Sequence, residues 1–98
     1  MSVVVIGGDY LGSIEKNLYS MGVTELQHIT GRKALDKSKV SVPKGTDFIL
    51  VFTNYVNHAT AQTVKEIAKS RAIPLVYAKR SWRAVEEKLK NSHLMDFC

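Results

Sequence analysis

Four polar turns hold the side chains that could do chemistry in this chain: Gly7-Gly8-Asp9-Tyr10, Thr30-Gly31-Arg32-Lys33, Thr53-Asn54 with Asn57-His58, and Lys79-Arg80-Ser81. Their chemistry is that of anion recognition. Glycines let backbone N–H groups approach a ligand, hydroxyls and amides donate hydrogen bonds, and two adjacent cation pairs supply charge. Catalysis has no comparable foothold. Ser13, Ser81 and Cys98 have no neighbouring motif that would supply a base, so nothing in the sequence specifies an enzyme. His28, His58 and His93 lie far apart and lack the spacing of a local metal motif. His28 and His58 each fall near the end of a strand, where an imidazole can donate to an anion or ligate a metal or haem iron.

Known phosphate loops test the glycine turn further. A dinucleotide fingerprint needs glycine at its first, third and sixth places, the middle one so that a pyrophosphate can approach the backbone. Gly7 and Gly12 occupy the outer places, but Asp9 stands in the middle one, where its carboxylate repels phosphate. The end of strand two offers His28, Thr30 and Arg32 instead of a ribose-binding acid. No lysine-serine or lysine-threonine pair follows the glycines, which excludes the nucleotide triphosphatase loop. A phosphorylatable receiver would carry aspartate at the end of strand three; this chain has Thr53 there.

The elements that position these turns follow from the hydrophobic pattern. Val3-Val4-Val5-Ile6 is a β-branched run suited to a strand buried on both faces. Leu11, Ile14 and Leu18 then mark a helix over Tyr10–Met21, with Asp9 as its N-cap and Gly22 as its stop. Gly12 falls in that helix's first turn, where a close approach to the sheet or a ligand would require it. Val23–Ile29 alternates apolar and polar residues, the pattern of an edge strand. A lysine-rich segment, Thr30–Thr46, connects onward with a short helix near Ala34–Lys39. Asp47–Phe52 is a continuous apolar strand and therefore central. A helix over Ala59–Ser70 turns Ala61, Val64 and Ala68 inward with Ile67 alongside. Ile73–Ala78 is a fourth strand, and Pro74 fits its edge position. Ser81 caps a last helix carrying Trp82, Val85 and Leu89, and the tail from Asn91 to Cys98 places Leu94, Met95 and Phe97 for docking on a neighbour.

Alternating strands and helices over 98 residues predict one α/β domain spanning 1–98. Its sheet has four parallel strands in order 2-1-3-4, a flavodoxin- or Rossmann-like three-layer arrangement or thin sandwich. Right-handed crossovers place the first and third helices on one face. The second helix and the 30–46 segment must cover the other, thinly, so a second copy of the chain is expected there, in a homodimer or larger homo-oligomer. Parallel strands send their C-terminal ends to one edge, and the strand order reverses between strands one and three, where ligands bind in such sheets. All four polar turns therefore meet on one rim. The backbone N–H groups of Gly8 to Tyr10 and the side chains of Thr30, Arg32, Lys33, Asn54, Lys79, Arg80 and Ser81 are expected to contact a phosphate-bearing ligand there, with Gly7, Asp9, Gly31, Thr53 and His58 in the same site.

Charge distribution agrees with an anionic partner. The formal net charge is +5. Arg32, Lys33, Lys37, Lys39 and Lys44 face only Asp36 in residues 31–45, and Lys79, Arg80, Arg83, Lys88 and Lys90 outnumber Glu86 and Glu87 in residues 79–90. Nucleic-acid binding through the 31–45 segment and the last helix is the alternative this clustering supports, although no aromatic residues are interleaved with the cations. A haem- or metal-dependent sensor using His28 or His58 is the other. The single cysteine, Cys98, can form no internal disulfide and fits a reducing cytosol. No apolar run approaches the roughly 20 residues of a membrane span, and no basic-then-apolar leader precedes the first strand, so a cytoplasmic location without membrane contact is expected.

The ordered set of turns resembles a small bacterial family known as domain of unknown function 2325. The residues that carry the resemblance are Val5-Ile6-Gly7-Gly8, His28-Ile29-Thr30-Gly31-Arg32, the Asp47 strand leading to Asn57-His58-Ala59, Val64-Lys65, Ile73-Pro74 and Lys79-Arg80-Ser81. It extends from about Val3 to Leu89. It implies a compact α/β domain with the rim positions as sites of interest, and no function comes with it. Haem binding has been suggested for some relatives, many with a His-His-Asp-Gly-like turn after strand two. This chain has His28-Ile29-Thr30-Gly31, without the second histidine and the acid.

Overall fold

A computed structural model describes residues 1–30 and 42–92. Its elements are β1 (Ser2–Ile6), α1 (Ser13–Ser20), β2 (Glu25–Ile29), β3 (Phe48–Phe52), α2 (His58–Arg71), β4 (Leu75–Ala78) and α3 (Trp82–Ser92). The four strands form one sheet in the order β2-β1-β3-β4, and every pairing is parallel. The α/β class and the strand order are thus those the hydrophobic pattern predicts.

Burial explains the order. β3 is buried at all five positions, and β1 at all but Ser2, because both lie inside the sheet with a layer on each face. Alternate residues point to opposite faces. Val3, Val5, Phe48, Leu50 and Phe52 pack with Leu11, Ile14 and Leu18 on the α1 side and with Val85 and Leu89 of α3. Val4, Ile6, Ile49 and Val51 meet Val64, Ile67 and Ala68 of α2 on the other face, joined by Val42. The first and third helices therefore share one face, as right-handed crossovers require. β2 and β4 are the edges, where half-buried residues are tolerated, and Pro74 stands just before β4 with its carbonyl accepting the Ile49 N–H.

Several boundaries differ from the sequence expectation, each for a local reason. α1 starts at Ser13, and its N-cap is Gly12 with no side-chain hydrogen bond, so Asp9 does not cap it. Gly12 has φ +57 and open space where a β-carbon would stand; its backbone angle, not a close approach, asks for glycine. α2 is capped by Asn57, begins at His58, and buries Thr60 rather than Ala61 beside Val64, Ile67 and Ala68. It ends on Ala72 in the left-handed conformation, φ 54. Val23 and Thr24 precede β2, and Ile73 and Pro74 precede β4; the N–H of Val23 closes the end of α1 on the Leu18 carbonyl instead of joining the sheet. The expected short helix near Ala34–Lys39 lies outside the described residues, as do Leu94, Met95 and Phe97 of the tail. Among the described residues no helix is long and apolar enough to cross a membrane.

Candidate functional site

The site is built on the peptide units of Gly7 and Gly8, which follow β1. Gly7 adopts φ +111 and Gly8 φ +71, so the chain leaves the strand in a conformation that favours glycine. Each peptide is tied to a neighbouring turn. The Gly7 N–H donates to the Ile29 carbonyl at 2.8 Å, and the Gly8 N–H donates to the Tyr55 carbonyl at 2.9 Å. The His28 Nε2 lies 2.7 Å from the Gly7 carbonyl oxygen. A carbonyl only accepts, so Nε2 carries the proton and donates. β2 therefore grips Gly7 from both sides, and the β3–α2 turn grips Gly8. The expectation that the Gly8 N–H faces a ligand is corrected: Tyr55 takes it.

Two asparagines lock the other turns in place. The Asn57 Oδ1 accepts the Ala59 N–H at 2.9 Å and starts α2. The Asn54 Oδ1 accepts the Arg80 N–H at 3.1 Å, joining the turn after β3 to the turn after β4. The Thr53 N–H donates to the Ala78 carbonyl at 3.0 Å and reinforces the same junction. With each amide oxygen committed to a backbone N–H, each asparagine keeps its NH2 as a hydrogen-bond donor.

Arg80 crosses this assembly. Its Nη2 donates to the Tyr10 carbonyl, and its guanidinium carbon lies 6.0 Å from the centroid of the Tyr10 ring and 5.9 Å from that of Tyr55. Such distances are within reach of cation–π attraction. Both tyrosines are exposed, Tyr10 by 74% and Tyr55 by 55%. Beneath the arginine stem is Gly8, whose lack of a side chain lets the stem pass.

Gly8, Asp9, Tyr10, Asn54, Tyr55, Val56, Asn57 and Arg80 together line an open pocket of about 510 Å³. Five of these, Gly8, Asp9, Tyr10, Asn54 and Arg80, are residues the sequence nominated, drawn from three of its four turns. Gly7 forms the support beneath. Thr30, Thr53, Lys79 and Ser81 are exposed at the strand ends but do not line the cavity, and Ser81 caps α3 by accepting the Ala84 N–H at 3.2 Å. His58 is exposed at the start of α2 and also stands outside the lining. Gly31, Arg32 and Lys33 lie outside the described residues, with Lys37 and Lys39 of the basic segment. Tyr55 and Val56 join the lining although the sequence pattern does not mark them, and Asn57 enters it from the turn it shares with His58. A tyrosine within a polar turn at a central strand's end was the available signal for Tyr55.

As for cofactors, a metal or haem iron at His28 would have to use Nδ1, because Nε2 holds the Gly7 carbonyl. Among the described residues, no three of the His, Cys, Asp and Glu side chains are grouped so as to hold a metal ion.

Fold and site together define a small parallel α/β domain with a donor-lined pocket at its C-terminal strand ends. Residues 2–92 match the model of a family described as uncharacterized protein conserved in bacteria (DUF2325), and the chain belongs to that family. No curated protein and no solved structure matches it.

Proposed function

We propose that this protein is a non-enzymatic binding or regulatory module whose pocket holds an anionic, phosphate-bearing ligand. One observation carries the reading: Arg80, Asn54 and Asn57 line one cavity, and both amide oxygens are already taken by backbone N–H groups. What remains is a set of donors around a cation, the complement of phosphate oxygens. The guanidinium has several N–H donors, of which the Tyr10 carbonyl takes one, so it can still meet an oxyanion through its fork. The pocket volume of about 510 Å³ falls within the range of small-molecule sites, roughly 300–1,000 Å³.

The test begins with whatever co-purifies, identified by mass spectrometry of the denatured supernatant, followed by calorimetric titration of the full chain with that compound and with inorganic phosphate. Arg80→Gln and Arg80→Glu should abolish binding while circular dichroism and thermal unfolding remain close to those of the parent protein. Undiminished binding by folded variants would refute the assignment. A second copy covering the α2 face belongs to the same proposal, and light scattering should give at least twice the mass of one chain. A single-chain mass across the micromolar range would remove that part alone.

A further inference from the structure

A bare phosphate has no use for the two aromatic rings beside this pocket. The backbones of Tyr10 and Tyr55 are both fixed: the Tyr10 carbonyl accepts from Arg80, the Tyr55 carbonyl accepts the Gly8 N–H, and the Tyr55 N–H donates to the Phe52 carbonyl at 3.1 Å. Their side chains are nonetheless exposed, in contrast to the fully buried Phe48 and Phe52. Rings held on rigid backbone beside a guanidinium offer stacking faces without the entropy cost of ordering a loop. Every nucleobase has a π-face that such rings can receive.

The charge of the lining narrows the ligand further. Among the described residues that line the pocket, Arg80 is the only cation and Asp9 the only acid. One positive charge set against one negative charge suits a phosphate of low charge and opposes a polyphosphate, which Asp9 would repel. A carboxylate also accepts from sugar hydroxyls and exocyclic amines, groups that a nucleoside presents.

We infer that the ligand is a nucleoside monophosphate, its base stacked on Tyr10 or Tyr55 and its phosphate facing Arg80 with the amides of Asn54 and Asn57. This inference rests on the anion-binding reading above and specifies the rest of the ligand.

The experiment is calorimetric titration of the full chain with AMP, GMP, CMP and UMP, and with ATP, ribose 5-phosphate and a single-stranded oligonucleotide. At least one monophosphate should bind, with ribose 5-phosphate and ATP each about tenfold weaker or more. Tyr10→Leu or Tyr55→Leu should weaken that monophosphate by about tenfold, in line with base–aromatic stacking, and leave ribose 5-phosphate unchanged. Tyr→Phe at the same position should keep the affinity. Because both rings are exposed, folding of the variants is checked directly by thermal unfolding.

Equal affinity for ribose 5-phosphate and the monophosphates, or leucine variants that bind as well as the parent, would overturn the nucleotide inference and leave the anion site standing. ATP binding tighter than every monophosphate would also overturn it. Oligonucleotide binding without monophosphate binding would replace it with a nucleic-acid surface. If no probe binds, or if Arg80→Gln leaves monophosphate binding intact, this inference and the anion-binding reading both fall.

Discussion

Arg80 lies against the bare backbone of Gly8, so that a β-carbon placed on the glycine would stand 3.2 Å from Nε and 3.3 Å from Cδ of the arginine. The stem of Arg80 has flexible dihedrals and can yield by a few tenths of an ångström, whereas the φ of +71 at Gly8 cannot easily change without moving the turn. Gly8→Ala should therefore cost about 1–2 kcal/mol of stability, the ordinary penalty for the left-handed region, and should weaken ligand binding by displacing Arg80. Gly7→Ala should cost more, because its β-carbon would meet the Tyr55 carbonyl oxygen at 2.9 Å with φ at +111. Urea unfolding of both variants checks the order; a Gly7→Ala protein as stable as the parent would contradict the geometry.

His28 holds the same turn from the other side. Removing the imidazole leaves the buried Gly7 carbonyl without that donor, a loss of about 1–3 kcal/mol for a buried polar group. His28→Ala should fall in that range in chemical denaturation. It should also raise amide hydrogen exchange at Gly7 and Gly8 more than in the distant helix α3. Uniform change across the molecule would show that His28 acts only through global stability.

Asn57 serves two ends of one amide, and substitution can separate them. Asn57→Ala removes the cap of α2 and should cost about 1 kcal/mol. Asn57→Asp keeps an oxygen for the Ala59 N–H but replaces the NH2 donor with negative charge. The aspartate variant should match the parent in thermal unfolding while losing affinity for inorganic phosphate. Equal phosphate affinity in the two proteins would place Asn57 outside the recognition surface.

Ala72 closes α2 with φ 54, a position usually given to glycine. Its exposure means that no packing is lost on substitution. Ala72→Gly should raise stability by about 0.5–1 kcal/mol, the relief of left-handed strain less the added freedom of glycine in the unfolded chain. A lower urea midpoint would show that Ala72 is held there by interactions its methyl group makes.

Fold and site were legible in the sequence to different depths. The parallel sheet and its order follow from Val3–Ile6 and Phe48–Phe52, whose unbroken apolar runs have few alternatives, and from edge strands marked by polar alternation and Pro74. Helix starts were harder. Asp9 and Gly12 both suit an N-terminus, and choosing between them needs the Gly7-Gly8 dihedral angles, which the Ile29, Tyr55 and His28 contacts across the sheet hold in place. Thr60 displaced Ala61 from the core because it lies four residues before Val64, on one helical stripe with Val64, Ile67 and Ala68. At the site, one-dimensional reading located the turns and nominated Arg80 and Asn54. It did not reveal that Tyr55 and Tyr10 would both lie near the Arg80 guanidinium, since that grouping exists only after β1, β3 and β4 are side by side.

The bond from Arg80 to the Tyr10 carbonyl spans 70 positions along the chain. Synthesis therefore produces the glycine turn and both tyrosines well before the residue that straps them together. On the proposed anion-binding role, ligand capture would become available only when β4 has docked, and recognition would report on completion of the domain. Two separately expressed halves, split within residues 31–41, should each be inert and regain capture only on reassociation.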